Sequence, residues 1–259
     1  MIIIFFIIGL FLGSFLGVLV DRLTNKESII NGRSRCDKCK KELGLLDLIP
    51  VLSFIFLKGK CRYCHTRLPY FYPLIEITTA ILFSLTYVLF DFQFPFVSFQ
   101  LIYYLLMVSS FIVIFFTDLK YGIIPDKIVF PAIFVSIFYL LLFNPSFLVI
   151  HLLCGLGAFI FFIAISYGFF VLTKKQSMGG GDIKLSLLLG LFLGFPGILV
   201  SLYIAFLTGA VVSIILILWK KKTSLKDTLP FGPFLILGSI ISFFFGSIIY
   251  GYALTFLGL

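Results

Sequence analysis

The chain has 259 residues, of which 61% are hydrophobic and 12% are charged, and its mean hydropathy is +1.19. Soluble domains carry about 25% charged residues, so this composition excludes a soluble globular enzyme and a disordered chain. The 20 Lys and Arg residues against 11 Asp and Glu residues give a net charge of +9. In a membrane protein such an excess indicates loops held at the cytoplasmic face, and not nucleic-acid binding.

Uncharged runs of about 20 residues are long enough to cross a bilayer as helices. The first run covers residues 1–20 and has no basic residue before it, so we interpret it as a retained span with its N-terminus outside. The later runs are 70–90, interrupted only by Glu76, then 92–117, 128–173 with a turn at Asn144, 185–219 with a break at Gly194, and 228–259. Two of these runs are long enough for two spans each. The sequence therefore predicts an all-α polytopic membrane protein with about eight transmembrane helices.

The distribution of basic residues supports this count of spans. Eight crossings from outside place four loops in the cytoplasm, at 21–69, 118–127, 174–184 and 220–227. These loops contain 11, 2, 3 and 4 Lys and Arg residues, which is all 20 in the chain. Six spans with two buried hairpins are the alternative and keep the same sidedness. The predicted organisation is a first helix at 1–20, a cytoplasmic loop at 21–69 and a seven-helix core at 70–259.

The cytoplasmic loop contains two C-x-x-C pairs, Cys36 with Cys39 and Cys61 with Cys64, separated by 21 residues. This spacing is typical of a structural Zn²⁺ site in which each pair forms one knuckle of a tetrahedral centre with four sulfur ligands. Disulfides are the alternative, but a cytoplasmic loop is reducing. The run from Cys61 to His65 also matches the haem-attachment pattern, which leaves the first pair unexplained.

Acidic residues in or beside membrane spans are candidates for function, because burying a carboxylate is costly. Asp118 ends the third span and Asp182 begins the sixth, so both are expected at the cytoplasmic edge of the bilayer. Two carboxylates that converge there could share a proton and activate water. Helix capping is the alternative for both, and it accounts adequately for Asp126. Glu76 is interpreted as a buried residue paired with a base or a helix end.

Three glycines precede Asp182, which is more than a helix cap needs. Glycine lets another backbone approach closely, although a flexible turn is the simpler explanation. We assign Gly179, Gly180, Gly181 and Lys184 to substrate binding.

These motifs, taken in order, resemble those of type IV prepilin peptidases, the leader peptidases and N-methyltransferases of the G-x-G-D aspartic membrane proteases. The matching segments run through most of the chain and are 13–16, 33–36, 49–53, 59–64, 72–76, 118–126, 179–185 and 230–234. The resemblance implies that Asp118 and Asp182 are the catalytic aspartates and that the four loop cysteines bind the metal. It places the protein in the plasma membrane of a bacterium, with its active site facing the cytoplasm.

The resemblance also implies the substrate and the second reaction. Family members remove a basic leader from prepilins or pseudopilins, typically between Gly and Phe, and then methylate the new N-terminus with S-adenosylmethionine. Gly17 and Asp37 are departures from the family pattern, which usually has Asn and Pro at these two positions. We assign the loop's basic residues to contacts with anionic membrane lipids and with the metal thiolates, and not to capture of the basic leader.

Two other functions are weighed against this one. In a zinc-stabilised transporter or sensor, carboxylates near the midplane of the bilayer are expected, and here they lie at one edge. Preflagellin peptidases of the archaeal type share the aspartates but usually lack the cysteine loop.

Overall fold

A computed structural model of the chain describes residues 1–24, 34–36, 38–89, 99–174, 179–219 and 230–257. In these residues the regular structure is helical, and β-pairing is limited to two isolated bridges in the cysteine loop. The chain forms two compact units, Met1–Phe116 and Thr117–Leu259. Seven of the described helices are long and apolar enough to cross a membrane. The prediction of an all-α polytopic membrane fold is therefore confirmed.

The described helices follow the predicted order. They are α1 (Ile2–Thr24), α2 (Leu52–Phe56), α3 (Phe71–Leu89), α4 (Phe99–Tyr121), α5 (Asp126–Phe143), α6 (Pro145–Thr173), α7 (Gly180–Leu218) and α8 (Gly232–Leu257). A short 3₁₀ helix (Leu45–Leu48) precedes α2 in the cysteine loop. The predicted inner loop at 220–227 lies outside the described residues.

Helix α7 contains the predicted break. Gly194 and Phe195 leave helical geometry, with φ/ψ of 62°/−164° and −94°/139°, and Pro196 has no main-chain N–H to continue the ladder. Nδ1 of His151 in α6 lies 2.7 Å from the carbonyl oxygen of Leu191, to which it donates, and so satisfies an acceptor that the break leaves free. The 39-residue α7 thus consists of two helical segments, and eight apolar segments are present as predicted.

In the first unit, α1 packs closely on α3. A Cβ added to Gly9 would lie 2.5 Å from Cα of Ala80, and one added to Gly13 would lie 2.7 Å from Cα of Glu76. Small residues spaced by four let membrane helices approach until their backbones touch. The cysteine loop connects these two helices, so they form its base.

In the second unit, α7 is the central helix and packs against α5, α6 and α8. Gly190 of α7 crosses α6 at Gly155, where an added Cβ would lie 2.5 Å from Cα of Gly155. Ser201 of α7 and Ser239 of α8 are fully buried and hydrogen-bonded at 2.9 Å. Small and hydroxylated residues therefore hold the three helices together.

Large apolar side chains cover the outside of both units. Ile3 of the first unit is 73% exposed, and Leu172 of the second unit is 85% exposed. Soluble monomers rarely expose so much apolar surface to water, whereas lipid tails solvate such a surface well. The outer surface therefore agrees with a bilayer around the helices.

Candidate active site and metal centre

The two candidate catalytic aspartates lie at helix ends within the second unit. Asp118 is in the last turn of α4, and Asp182 is in the first turn of α7. Both are buried, with exposures of 4% and 9%, and their carboxyl groups are close enough to interact electrostatically. The fold therefore brings together two carboxyl groups that are 64 residues apart in the chain.

Main-chain N–H groups satisfy only part of this pair. The N–H of Gly179 donates to the carboxylate of Asp182, and the N–H of Gly232 donates to that of Asp118. Asp118 Oδ2 and Asp182 Oδ1 are buried and have no hydrogen-bond partner among the described residues. An unsatisfied buried acceptor costs about 1–3 kcal/mol. Helix capping accounts for one oxygen of Asp182 and leaves the other without a structural role.

The first residue of α8 and the loop before α5 complete the surroundings of the pair. A Cβ added to Gly232 would collide with Asp118 Oδ2 and would lie 3.1 Å from Cδ1 of Ile124. On the other side, a Cβ on Gly181 would lie 2.9 Å from Cβ of Ile124. Ile124 therefore fits between the two glycines. Ile124 and Gly232 lie in segments that carry the family resemblance, 118–126 and 230–234, but the sequence assigned neither a role, because their roles arise only when three helix ends meet.

The glycines before Asp182 differ in their surroundings. Gly179 is the N-cap residue of α7, and Gly180 has no atom within 4 Å of an added Cβ. Gly181 is the glycine packed against Ile124. Their assignment to substrate binding stays a prediction, and Gly180 leaves the most room for a bound chain.

The interpretation of Asp126 as a helix cap is wrong. Pro125 occupies the N-cap position of α5, and Asp126 is the first helical residue. Nζ of Lys184 lies 2.9 Å from both carboxylate oxygens of Asp126 and 5.2 Å from the ring centre of Phe130. The first turn of α5 is therefore joined to the first turn of α7 by an ion pair on an exposed surface.

The second candidate site is the cysteine cluster of the first unit. The Sγ atoms of Cys36, Cys39, Cys61 and Cys64 all lie within 4.8 Å of one another, and those of Cys36 and Cys64 are 3.8 Å apart. A regular tetrahedron with Zn–S bonds of about 2.3 Å has sulfurs about 3.8 Å apart. The four thiols are free, so the disulfide alternative finds no support. The donor set and its spacing fit Zn²⁺.

The two C-x-x-C segments have the same backbone geometry. In the first, Lys40 N donates to Cys36 O and Cys36 N donates to Lys41 O, at 2.8 and 3.0 Å. The equivalent bonds in the second run from His65 N to Cys61 O and from Cys61 N to Thr66 O, at 3.0 and 2.8 Å. Lys40 and His65 both adopt positive φ, and His65 is exposed. The loop is thus a pair of matched knuckles, which explains both cysteine pairs.

Thr66 favours the thiolate form of Cys64 in the second knuckle. The Thr66 hydroxyl lies 3.3 Å from Sγ of Cys64, and hydrogen bonds from its hydroxyl and then its main-chain N–H lower the pKa of Cys64 to about 6. Arg62 Nε lies 2.6 Å from Oδ1 of Asp47, which holds the second knuckle against the 3₁₀ helix. Four thiolates and Zn²⁺ would carry a net charge of −2, which the many basic residues of this loop would offset.

Glu76 connects the loop to the membrane helices. Its carboxylate is buried in α3, and its Oε2 accepts the main-chain N–H of Val51 at 2.7 Å, at the start of α2. The hydroxyl of Ser14 in α1 donates to the same carboxylate. The interpretation of Glu76 as a residue paired with a helix end is therefore confirmed.

Comparison with protein families gives two matches that together cover most of the chain. Residues 7–90 match the bacterial peptidase A24 N-terminal domain, and residues 105–214 match the type IV leader peptidase family. The first match contains the four cysteines, and the second contains both aspartates. No solved structure matches the chain.

Several relatives match this chain over most of their length. A prepilin leader peptidase/N-methyltransferase of Bacillus subtilis is 33% identical over 249 residues, which is 94% of this chain and 94% of the relative. Proteins of the same name from Aeromonas salmonicida and Legionella pneumophila are 28% and 31% identical. These alignments cover 93% and 83% of this chain, and 89% and 72% of the respective relatives.

Proposed function

Because the chain belongs to the type IV leader peptidase family, we propose that it removes the leader from type IV prepilins or pseudopilins and methylates the new N-terminus. The first reaction is an aspartic endopeptidase reaction, and we assign it to Asp118 and Asp182. The observation that carries this assignment is the pair of buried carboxyl oxygens, Asp118 Oδ2 and Asp182 Oδ1, that have no partner among the described residues.

Such a pair can hydrolyse a peptide bond with one shared proton. The ionised carboxyl group takes a proton from water, whose oxygen attacks the scissile carbonyl carbon. The protonated group donates to the carbonyl oxygen as negative charge develops there. The first group then gives the proton it took to the leaving nitrogen, one hydroxyl of the intermediate returns its proton to the second group, and the C–N bond breaks, so the pair again holds one proton. The N–H groups of Gly232 and Gly179 hold the two carboxyl groups in place during these steps.

The position of the aspartates suits a prepilin substrate. They lie at the ends of apolar helices α4 and α7, where a membrane span gives way to a polar segment. A prepilin has an apolar helix in the bilayer and a polar leader outside it. Its scissile bond therefore lies at the membrane edge, at the same depth as the two aspartates. Lys184, two residues beyond Asp182, and the exposed Gly180 are proposed to contact this substrate.

We place the aspartates and the cysteine loop on the cytoplasmic side of the plasma membrane. The support is the distribution of charge, since the loops assigned to that side contain all 20 basic residues. An impermeant thiol reagent should therefore miss Cys39, which is exposed, in intact cells and label it in lysed cells after metal removal. Labelling of Cys39 in intact cells would contradict this topology.

The cysteine cluster is proposed to hold one structural Zn²⁺ through Cys36, Cys39, Cys61 and Cys64. Its role is to fold a loop with few apolar contacts of its own, because binding energy at a structural zinc site is folding energy. The hydrolysis steps assigned to Asp118 and Asp182 need two carboxyl groups and water only. We therefore propose that the metal takes no part in peptide hydrolysis.

One experiment tests both proposed activities. The purified full-length protein in lipid nanodiscs is incubated with a prepilin and S-adenosylmethionine, and the product's N-terminus is read by mass spectrometry. We expect loss of the leader and a mass increase equal to one methyl group. An intact prepilin after prolonged incubation would contradict the peptidase assignment. A cleaved but unmodified product would contradict methylation alone.

A further inference from the structure

Helix α2 has an exposed apolar face, although it belongs to the polar cysteine loop. Leu52, Ile55 and Phe56 are 53%, 62% and 81% exposed, and their spacing of three and four residues places them on one side of the helix. The opposite side is covered, because Phe54 lines a cavity of about 310 Å³ that Glu76 also lines. Large apolar side chains grouped on one exposed face indicate a surface that contacts a partner or a membrane.

The 3₁₀ helix that packs against α2 has the same character. Its Leu45 and Leu46 are 88% and 65% exposed. These two short helices are not among the helices that are long and apolar enough to cross a membrane. Their exposed apolar side chains therefore need a different explanation from the lipid-facing surface of the spans.

Contacts with α1 and α3 place the start of α2 inside the membrane edge. Gly13 of α1 packs directly on Glu76 of α3, and Glu76 accepts the N–H of Val51 at 2.7 Å. The uncharged run of α1 continues seven residues beyond Gly13, or about 10 Å, and α3 begins five residues before Glu76, or about 8 Å away. Side chains on a helix lean toward its N-terminus, so Val51 lies between Glu76 and the membrane edge.

Two further features fix α2 at this depth. The ring of Phe54 lies 5.4 Å, between centres, from the ring of Tyr70, which directly precedes α3. Val51 has a φ of 59°, which a β-branched residue keeps only where the surrounding structure determines it. The resulting depth agrees with the about 5–10 Å to which interfacial helices bury their apolar face at the boundary of headgroups and acyl chains.

We propose that α2 is an interfacial membrane helix that holds the cysteine loop against the bilayer. Its apolar face inserts among lipid acyl chains at the membrane edge where α1 ends and α3 begins. The inference depends on the membrane fold of the chain, and not on either of the proposed reactions.

The charges around α2 favour lipid over a protein partner. Lys58 and Lys60 follow the helix, and both are exposed. Between Asp47 and Glu76 the chain has four basic residues and no acidic one. Lysine side chains can extend to the headgroups while their methylene groups stay in the apolar region, and anionic headgroups attract them. An apolar face flanked by basic residues alone is complementary to an anionic membrane surface.

Depth-dependent quenching of tryptophan fluorescence tests this inference on the full-length protein. The chain has one tryptophan, so Trp219→Phe gives a background without tryptophan emission. Phe56→Trp is introduced into this background, and Ile55→Trp is a second probe of the same face in case the first variant does not accumulate. Each protein is placed in nanodiscs of phosphatidylglycerol and phosphatidylcholine, with bromine on the phosphatidylcholine chains either near the glycerol or near the chain ends.

Phe11→Trp and Glu42→Trp in the same background are the controls. Phe11 is 58% exposed and lies in the middle of the uncharged run of α1, so it reports a lipid-facing position deep in the bilayer. Glu42 is an exposed acid of the cysteine loop, so it reports a position that anionic lipid repels. Each variant is confirmed to insert and accumulate in the membrane before it is measured.

We expect bromine near the glycerol to remove most of the emission of Phe56→Trp, and bromine near the chain ends to remove less. The order should be reversed for Phe11→Trp, and neither lipid should quench Glu42→Trp. Emission from the α2 probes that neither lipid quenches would overturn the inference. Emission at long wavelength would then place the apolar face in water, and emission at short wavelength would show that protein covers it.

Discussion

Replacing Gly232 with alanine tests the geometry around Asp118. Gly232 is the first residue of α8, and its N–H donates to the Asp118 carboxylate. The added methyl group would collide with Asp118 Oδ2 and would lie 3.1 Å from both Cγ of Asp118 and Cδ1 of Ile124. Relief of this overlap requires the carboxyl group to turn, or the start of α8 to move away from it.

The expected effect is large on catalysis and moderate on stability. Misplacing a catalytic group by about 1 Å costs about 10²-fold in rate. Inserting a methyl group into a packed site costs about 1–3 kcal/mol of the free energy of unfolding. We therefore expect Gly232→Ala to accumulate in the membrane as a folded protein with kcat reduced about a hundredfold. KM should change little, because Gly232 contacts Asp118 and is not assigned to substrate binding.

The assay is initial-rate cleavage of a prepilin by protein in nanodiscs, with kcat and KM determined separately. Gly251→Ala in the same helix is the matched control, since an added Cβ there has no atom within 4 Å. It should cleave at the wild-type rate. A wild-type kcat for Gly232→Ala would show that the Asp118 carboxyl group is not held where catalysis needs it, and the reasoning would be refuted.

Three further predictions concern the glycine run, the metal and the surface ion pair. Gly181→Ala should slow cleavage in initial-rate assays because its Cβ would lie 2.9 Å from Cβ of Ile124. Gly157→Ala in α6, where an added Cβ has no atom within 4 Å, should not slow it, and equal rates would count against the packing argument. Cys36→Ser should lower zinc from about one per chain to a trace by elemental analysis, and full retention would exclude the four-sulfur site. Lys184→Gln should raise KM for the prepilin, because Lys184 is proposed to contact the substrate. Asp126→Asn, which only releases Lys184 from its ion pair, should leave KM unchanged. Steady-state kinetics on the two variants compares them directly.

Local and compositional features could be predicted from the sequence. Apolar runs and the Gly194–Pro196 break predicted the helices, because span length and helix breaking depend on a few neighbouring residues. The spacing of Cys36, Cys39, Cys61 and Cys64 predicted a four-thiol cluster, because each knuckle is a local turn. The same local reasoning misread Asp126, whose partner Lys184 is 58 residues away.

Contacts between distant segments could not be predicted in this way. Gly232 lies against Asp118 only because α8 begins where α4 ends, and no periodicity encodes that meeting. The cavity beside Glu76 likewise requires α1, α2, α3 and both knuckles to be in place. The sequence therefore identified the aspartates and the cysteines of the two sites. The structure added the glycine and apolar residues that position them.

The central claim is that Asp118 and Asp182 act as one catalytic pair. The most direct test compares prepilin cleavage by Asp118→Asn, Asp182→Asn, the double variant and Asp126→Asn, each confirmed to insert and accumulate in the membrane. Asparagine keeps size and hydrogen bonding, so a capping role would cost only about 1 kcal/mol of stability. Each single variant should lose about 10²–10⁴-fold in rate, because general acid–base catalysis contributes that much. The double variant should be scarcely slower, because residues that act as a unit are not additive. Asp126→Asn should cleave normally, and near wild-type cleavage by either single variant of the pair would contradict the account.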